Sequence, residues 1–73
     1  MPRANNPNRG KIVGEFASMK SFELSARDLY REIARDPRVR DQRIRDVFAR
    51  LADEEQRHAE LVQEIIDLIN DAL

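Results

Sequence analysis

The second half of the chain carries a regular alternation of apolar positions. From Ile44 onward they recur in steps of four and three residues, which is the spacing of one face of a continuous α-helix. Two polar residues, Glu55 and His58, fall in this stripe, and a polar group buried without a partner is costly. The stripe that we predict to point into a core consists of Ile44, Phe48, Leu51, Glu55, His58, Val62, Ile65, Ile69 and Ala72.

A second helical pattern precedes this one and runs from about Glu15 to Arg35. The sequence Asp36-Pro37 interrupts it, because the residue before a proline disfavours the helical conformation. This first helix is therefore expected to end near Arg35. Its predicted inward face consists of Phe16, Met19, Glu23, Ala26, Tyr30 and Ile33, widened by Phe22 and Leu29.

The boundaries of the second helix follow from its capping residues. Asp41 is a plausible N-cap, and Asp36 followed by Pro37 at a first helical position is a competing start. The helix then runs to about Asp71. Residues 1–14 contain prolines, asparagines and glycines that break regular structure, so they are expected to form an N-terminal tail. Residues 15–73 are expected to form one helical hairpin.

A short connection makes the two helices antiparallel neighbours. With the turn centred near Val39, residues at one level of the hairpin have numbers that add up to about 78. Glu23 is then level with Glu55, and His58 lies one turn away. The sequence therefore predicts that the inward carboxylates of both helices meet beside an imidazole.

Composition limits the function classes that are open to this chain. Its 73 residues contain no cysteine, which excludes disulfides, zinc–thiolate sites and iron–sulfur or rubredoxin-type centres. Charged residues make up 37% of the chain but leave a net charge of -1, which argues against nucleic-acid binding. No apolar run is long enough for a membrane span, and no signal peptide is evident. We expect a soluble protein of the cytoplasm or an interior compartment.

The meeting of two buried carboxylates indicates a metal site. Two such groups repel each other, whereas a divalent cation between them turns the repulsion into coordination. Di-iron helical bundles use one Glu from each of two helices and a Glu-x-x-His pair from each of the other two. Glu23, Glu55 and His58 supply half of this set, so a homodimer would complete it. We expect two iron ions per dimer, with manganese or another divalent metal as alternatives.

The sequence resembles the ferritin-like superfamily, and most closely the rubrerythrin type and the encapsulated ferritins. The similarity covers about residues 16–62. In the first helix a ligand Glu is followed by Ala-Arg and then Tyr, and the second helix carries the matching Glu-x-x-His segment. The residues that carry the resemblance are Glu23, Ala26, Arg27, Tyr30, Phe48, Ala52, Asp53, Glu55, His58 and Ala59.

The resemblance implies an all-α fold, an antiparallel two-helix hairpin that dimerises into a ferritin-like four-helix bundle. It implies that Glu23, Glu55 and His58 bind iron and act in catalysis, with Glu55 bridging the ions. Tyr30 is expected to support the site by hydrogen bonding, and Glu54 is expected either to lie at its mouth or to be solvated. Encapsulated ferritins imply a further partner, an encapsulating shell protein, and a location inside a protein nanocompartment.

Two departures from the resembling families affect the expected activity. A rubrerythrin domain holds both halves of its bundle in one chain, whereas this chain has one half. Full rubrerythrins also carry a rubredoxin domain, which a chain without cysteine does not have. Oxidation of Fe(II) for storage or detoxification is the first expected function. A peroxide reductase with an external electron donor is the second. The third is a helical dimerisation module without catalysis, in which the polar residues set helix register.

Overall fold

Two long helices packed side by side form the whole of the described structure. The computed structural model describes residues 7–73, and α1 spans Pro7–Arg35 while α2 spans Gln42–Ala72. The helices contact each other along their length, which confirms the predicted all-α hairpin. No helix in this part of the chain is long and apolar enough to cross a membrane.

The first helix begins earlier than the sequence pattern predicts. We expected a tail up to Gly14, but residues 7–14 are helical, and only residues 1–6 of that expected tail lie outside the described residues. Pro7 suits a first helical position, where its missing N–H has no intrahelical partner. Gly10 and Gly14 each cost about 1 kcal/mol relative to alanine. Half-burial of Ile12 and Val13 offsets that cost.

The turn between the helices is fixed by two aspartates. Asp41 is the N-cap of α2, and its side chain accepts a hydrogen bond from the backbone N–H of Arg43 at 2.9 Å. The predicted N-cap is thus confirmed, and the competing start at Asp36 is not used. Asp36 instead accepts from the backbone N–H of Arg38 at 2.9 Å. Arg45 closes the turn by donating to the carbonyl oxygens of Asp36 and Val39.

We predict that Asp36 makes the hairpin sensitive to acid. Its hydrogen bonds from the Arg38 side chain and backbone lower the pKa of Asp36 from 3.8 to about 2. A lowered folded-state pKa adds stability above pH 3.8, and that stability is lost as the pH falls towards 2. Asp36→Asn should therefore lower the melting temperature at neutral pH and flatten its decline in this acidic range. Circular dichroism checks this, with Asp53→Asn, outside the turn, controlling for charge loss.

The inward positions of both helices follow steps of three and four residues. On α2 the most buried side chains are Ala52, Ala59, Val62 and Ile66. These inward positions are half-buried or buried, and they are Phe16, Lys20, Glu23, Arg27 and Tyr30 on α1 and Arg45, Phe48, Ala52, Glu55, Ala59, Val62, Ile66 and Ile69 on α2.

This arrangement corrects the predicted phase of the α2 stripe. Phe48, Glu55, Val62 and Ile69 face α1 as expected, and Leu51 is half-buried, but the other predicted members do not face it. Those members are exposed on the hairpin, namely Ile44, His58, Ile65 and Ala72.

The exposed large apolar residues share one side of the hairpin. Each of them directly precedes an inward position, and in antiparallel helices the preceding positions of both helices project to the same side. Phe22 is the most exposed of them, at 77%. We call this surface the open face, and it consists of Met19, Phe22, Leu29, Ile44, Val47, Leu61, Ile65 and Leu68 together with His58.

The opposite side of the hairpin, which we call the polar edge, follows the inward positions by one residue. Its members include Gln56, Glu60, Gln63 and Asp67, which form hydrogen bonds along and across the helices. The hairpin is therefore two-sided, with one apolar side and one hydrogen-bonded polar side.

Candidate metal centre

The three predicted ligand residues come together at mid-height of the hairpin. Nδ1 of His58 lies 3.6 Å from Oε2 of Glu23 and 3.9 Å from Oε1 of Glu55. One candidate ligand atom from each of the three residues lies within 4.8 Å of the others. Glu23 is supplied by α1 and the other two by α2, so the cluster depends on the packing of the helices.

Small residues of α2 explain why the carboxylates approach each other. Ala52 and Ala59 lie one turn before and one turn after Glu55, and both are 2% exposed. An alanine leaves little side chain between two helices, so their axes can pack closely at this height. Glu23 and Glu55 thereby reach each other across the helix–helix interface.

The carboxylates of Glu23 and Glu55 lie close enough for their negative charges to repel each other. A hydrogen bond with Glu23 raises the pKa of Glu55 above its ordinary value, and burial and the negative charge of Glu23 raise it further. The nearby His58 acts in the opposite direction, and Glu54 adds a small further increase. Without a cation, the proximity of Glu23 therefore disfavours the charged form of Glu55.

The donor set fits a hard or borderline divalent cation. Two carboxylates and one imidazole provide oxygen and nitrogen ligands of the kind that iron and manganese bind. Glu23 and Glu55 are mostly buried, whereas the side chain of His58 is 53% exposed on the open face. The cluster thus lies at the surface of the hairpin, beside the open face.

The other predicted site residues lie outside this cluster. Tyr30 is in ring contact with Phe48, with centroids 5.9 Å apart, two turns along α1 from Glu23. Glu54 is exposed and directly precedes Glu55, which places it on the side of the open face. Their predicted roles in supporting the site stay predictions.

Four residues beside the cluster were not singled out from the sequence as parts of the site. Lys20 and Arg27 occupy inward positions one turn before and one turn after Glu23, and each donates to a glutamine of α2. The sequence does contain a signal for these residues. Two cations seven residues apart on an inward stripe are unusual, and Gln56 and Gln63 are separated by the same seven residues on the other helix.

Comparison with known proteins identifies the family of the chain. No curated protein and no solved structure is significantly similar to it. The family model described as Rubrerythrin matches residues 17–73, which are most of the chain and include all three clustered residues. Membership of this family implies iron binding, in agreement with the carboxylate and imidazole cluster. The chain belongs to the rubrerythrin family of the ferritin-like superfamily.

Proposed function

We propose that the protein oxidises Fe(II) to Fe(III) at a di-iron site shared by two copies of the chain. The observation that carries this proposal is the position of Glu23, Glu55 and His58, whose ligand atoms lie within 4.8 Å of one another beside an uncovered apolar face. A two-fold partner brings the same three residues, which gives four carboxylates and two imidazoles for two ions.

The open face supports a second copy as the partner. Its eight large apolar side chains are 37–77% exposed on the single hairpin. Among residues 8–73 the exposed large apolar side chains lie on one side of the hairpin, which indicates an association surface. The surface is self-complementary across a two-fold axis because it is apolar along both helices and has the cluster near its middle. Four helices then enclose a core that two helices leave open.

Each residue of the cluster has a role in the proposed reaction. Two Fe(II) ions, as substrate, each lose one electron, and one O₂ takes up both electrons and two protons to leave as hydrogen peroxide. Glu23 and Glu55 provide negative charge that favours the more highly charged Fe(III) product. His58 adds an imidazole nitrogen ligand from the side of the open face.

Reduction of peroxide is the second candidate, and the family match favours it. In that reaction one hydrogen peroxide takes up two electrons and two protons and yields two water molecules. These 73 residues contain no cysteine and so provide no thiolate ligands for a rubredoxin centre, and the proposed reaction draws its electrons from a donor outside them. The same cluster would serve, but the iron would stay bound.

Oxidation of excess Fe(II) tests the proposal. The purified protein is loaded anaerobically with Fe(II) at ten ions per dimer and then exposed to O₂. We expect several rounds of Fe(III) formation, with about one O₂ consumed for each pair of ions. Retention of two ions per dimer, with oxidation only when peroxide and a reductant are supplied, indicates the peroxide reductase. A dimer equally stable with and without a chelator, which neither binds nor oxidises Fe(II), overturns both.

A further inference from the structure

Two cations occupy positions on α1 where a helix interface calls for apolar side chains. Lys20 and Arg27 lie on the inward stripe on either side of Glu23, and the side chain of Arg27 is only 21% exposed. They lie about level with Ala59 and Ala52 of α2, whose small side chains leave space for long aliphatic stems. The charged ends therefore reach the polar edge while the stems cross the interface.

Each of these cations is held at the polar edge by a glutamine of α2. Nζ of Lys20 donates to Oε1 of Gln63 at 2.7 Å, and Nη1 of Arg27 donates to Oε1 of Gln56 at 2.5 Å. Each glutamine also donates from its own Nε2 to a carboxylate four residues later, at 2.9 Å to Asp67 and at 3.0 Å to Glu60. These second bonds fix each amide with its oxygen towards the cation.

The ordinary partner of Arg27 would be Glu23. A glutamate followed four residues later by a cation is the favoured arrangement for an ion pair along a helix. In the part of the chain that the structure describes, this pair is not formed, and the guanidinium contacts Gln56 and Asp28 instead. Glu23 is therefore free to face Glu55 and His58.

We propose that Gln56 and Gln63 are positioning residues that hold Arg27 and Lys20 away from Glu23 and Glu55. The glutamines accept hydrogen bonds from the cations without adding negative charge beside the cluster. Released cations would pair with the two carboxylates and compete with a metal ion for them. This inference rests on the proposed metal binding and does not depend on which oxidation reaction follows.

Each hydrogen bond from a cation to its glutamine is called a tether below. Loss of one tether tests the inference through the affinity for metal rather than through activity. Gln56→Leu removes the acceptor that holds Arg27 at α2 and leaves it only the contact with the neighbouring Asp28, so the guanidinium can turn to Glu23. We expect Fe(II) to bind about tenfold more weakly, the effect of one charge-assisted hydrogen bond competing with the ion. Anaerobic titration calorimetry with Fe(II) measures this, and circular dichroism confirms that the variant is folded.

The deciding variant removes the cation as well. In Q56L/R27M no guanidinium is left to compete, so the affinity should return to the wild-type value. A purely structural role of Gln56 predicts that the double variant binds as weakly as Q56L, and this result would overturn the inference. Unchanged affinity in Q56L would overturn it too.

The second tether gives an independent comparison, should Q56L fail to fold. Q63L is expected to weaken Fe(II) binding and Q63L/K20M to restore it. Failure of the wild-type protein to bind Fe(II) at all would remove the proposed function together with this inference. Wild-type binding with no response to either tether would remove the inference alone.

Discussion

Glu55→Gln is expected to abolish tight Fe(II) binding and, at the same time, to stabilise the metal-free protein. Changes to the outer partners of metal ligands already weaken binding by about ten- to a hundredfold, so loss of a direct carboxylate should cost at least about a hundredfold. The metal-free hairpin should melt at a higher temperature, because the amide ends the crowding of acids that raises the pKa of Glu55. Anaerobic calorimetry and thermal melts measure the two effects.

The neighbouring residue provides a matched control for this experiment. Glu54→Gln removes the same charge at an exposed position that contributes only slightly to the pKa of Glu55. We expect it to change the affinity for Fe(II) by no more than a few-fold, as for an exposed charge outside the direct ligands. Equal losses in both variants would mean that general negative charge attracts the ion. Unchanged binding in Glu55→Gln would exclude Glu55 as a ligand.

The proximity of Glu23 to Glu55 was predictable because it depends only on where the first helix ends and on how short the connection is. The Asp36-Pro37 break fixed the end of the first helix, and a short connection fixed the antiparallel order. From these, the level of each residue follows by counting from the turn. The Asp41 cap was predictable for a similarly local reason, since its side chain bonds the backbone two residues later.

The phase of the α2 stripe was not predictable from periodicity alone. The helix carries two adjacent apolar stripes, one that includes Val62, Ile66 and Ile69 and another that includes Leu61, Ile65 and Leu68. The sequence pattern does not separate the two stripes. The single stripe predicted from it therefore contained residues that face α1 together with residues of the open face. Only the packed hairpin separates them.

The early start of α1 was missed for a different reason. Gly10, Gly14 and the asparagines near the N-terminus have low helix propensity, so the sequence pattern without the packing indicates a tail. In the structure Ile12 and Val13 are half-buried, and contacts of this kind override a cost of about 1 kcal/mol per glycine.

The roles of Gln56 and Gln63 were not predictable from the sequence, because a glutamine on a charged helix usually faces solvent. Their hydrogen bonds to Arg27 and Lys20 become evident only when the two helices are packed and the residues at one level are known.

Placing a charge on the open face is expected to separate the proposed dimer and to weaken metal binding with it. Phe22→Asp puts a carboxylate on the residue that is 77% exposed on the hairpin and that precedes Glu23. Burying that charge against an apolar partner costs on the order of 4 kcal/mol, which corresponds to a roughly thousandfold weaker dimer. Analytical ultracentrifugation should show monomers, and calorimetry should show loss of tight Fe(II) binding.

Ser21→Asp gives the matched control, because it adds the same charge to the adjacent exposed residue, outside the open face. It should leave both the dimer and the affinity for Fe(II) unchanged. The two measurements are informative together, since residues 7–73 of one chain offer a single set of three ligands. A monomeric Phe22→Asp variant that binds Fe(II) as tightly as the wild type would show that one chain completes its own site. Its three ligands would then act without a partner, and the shared di-iron site would be excluded.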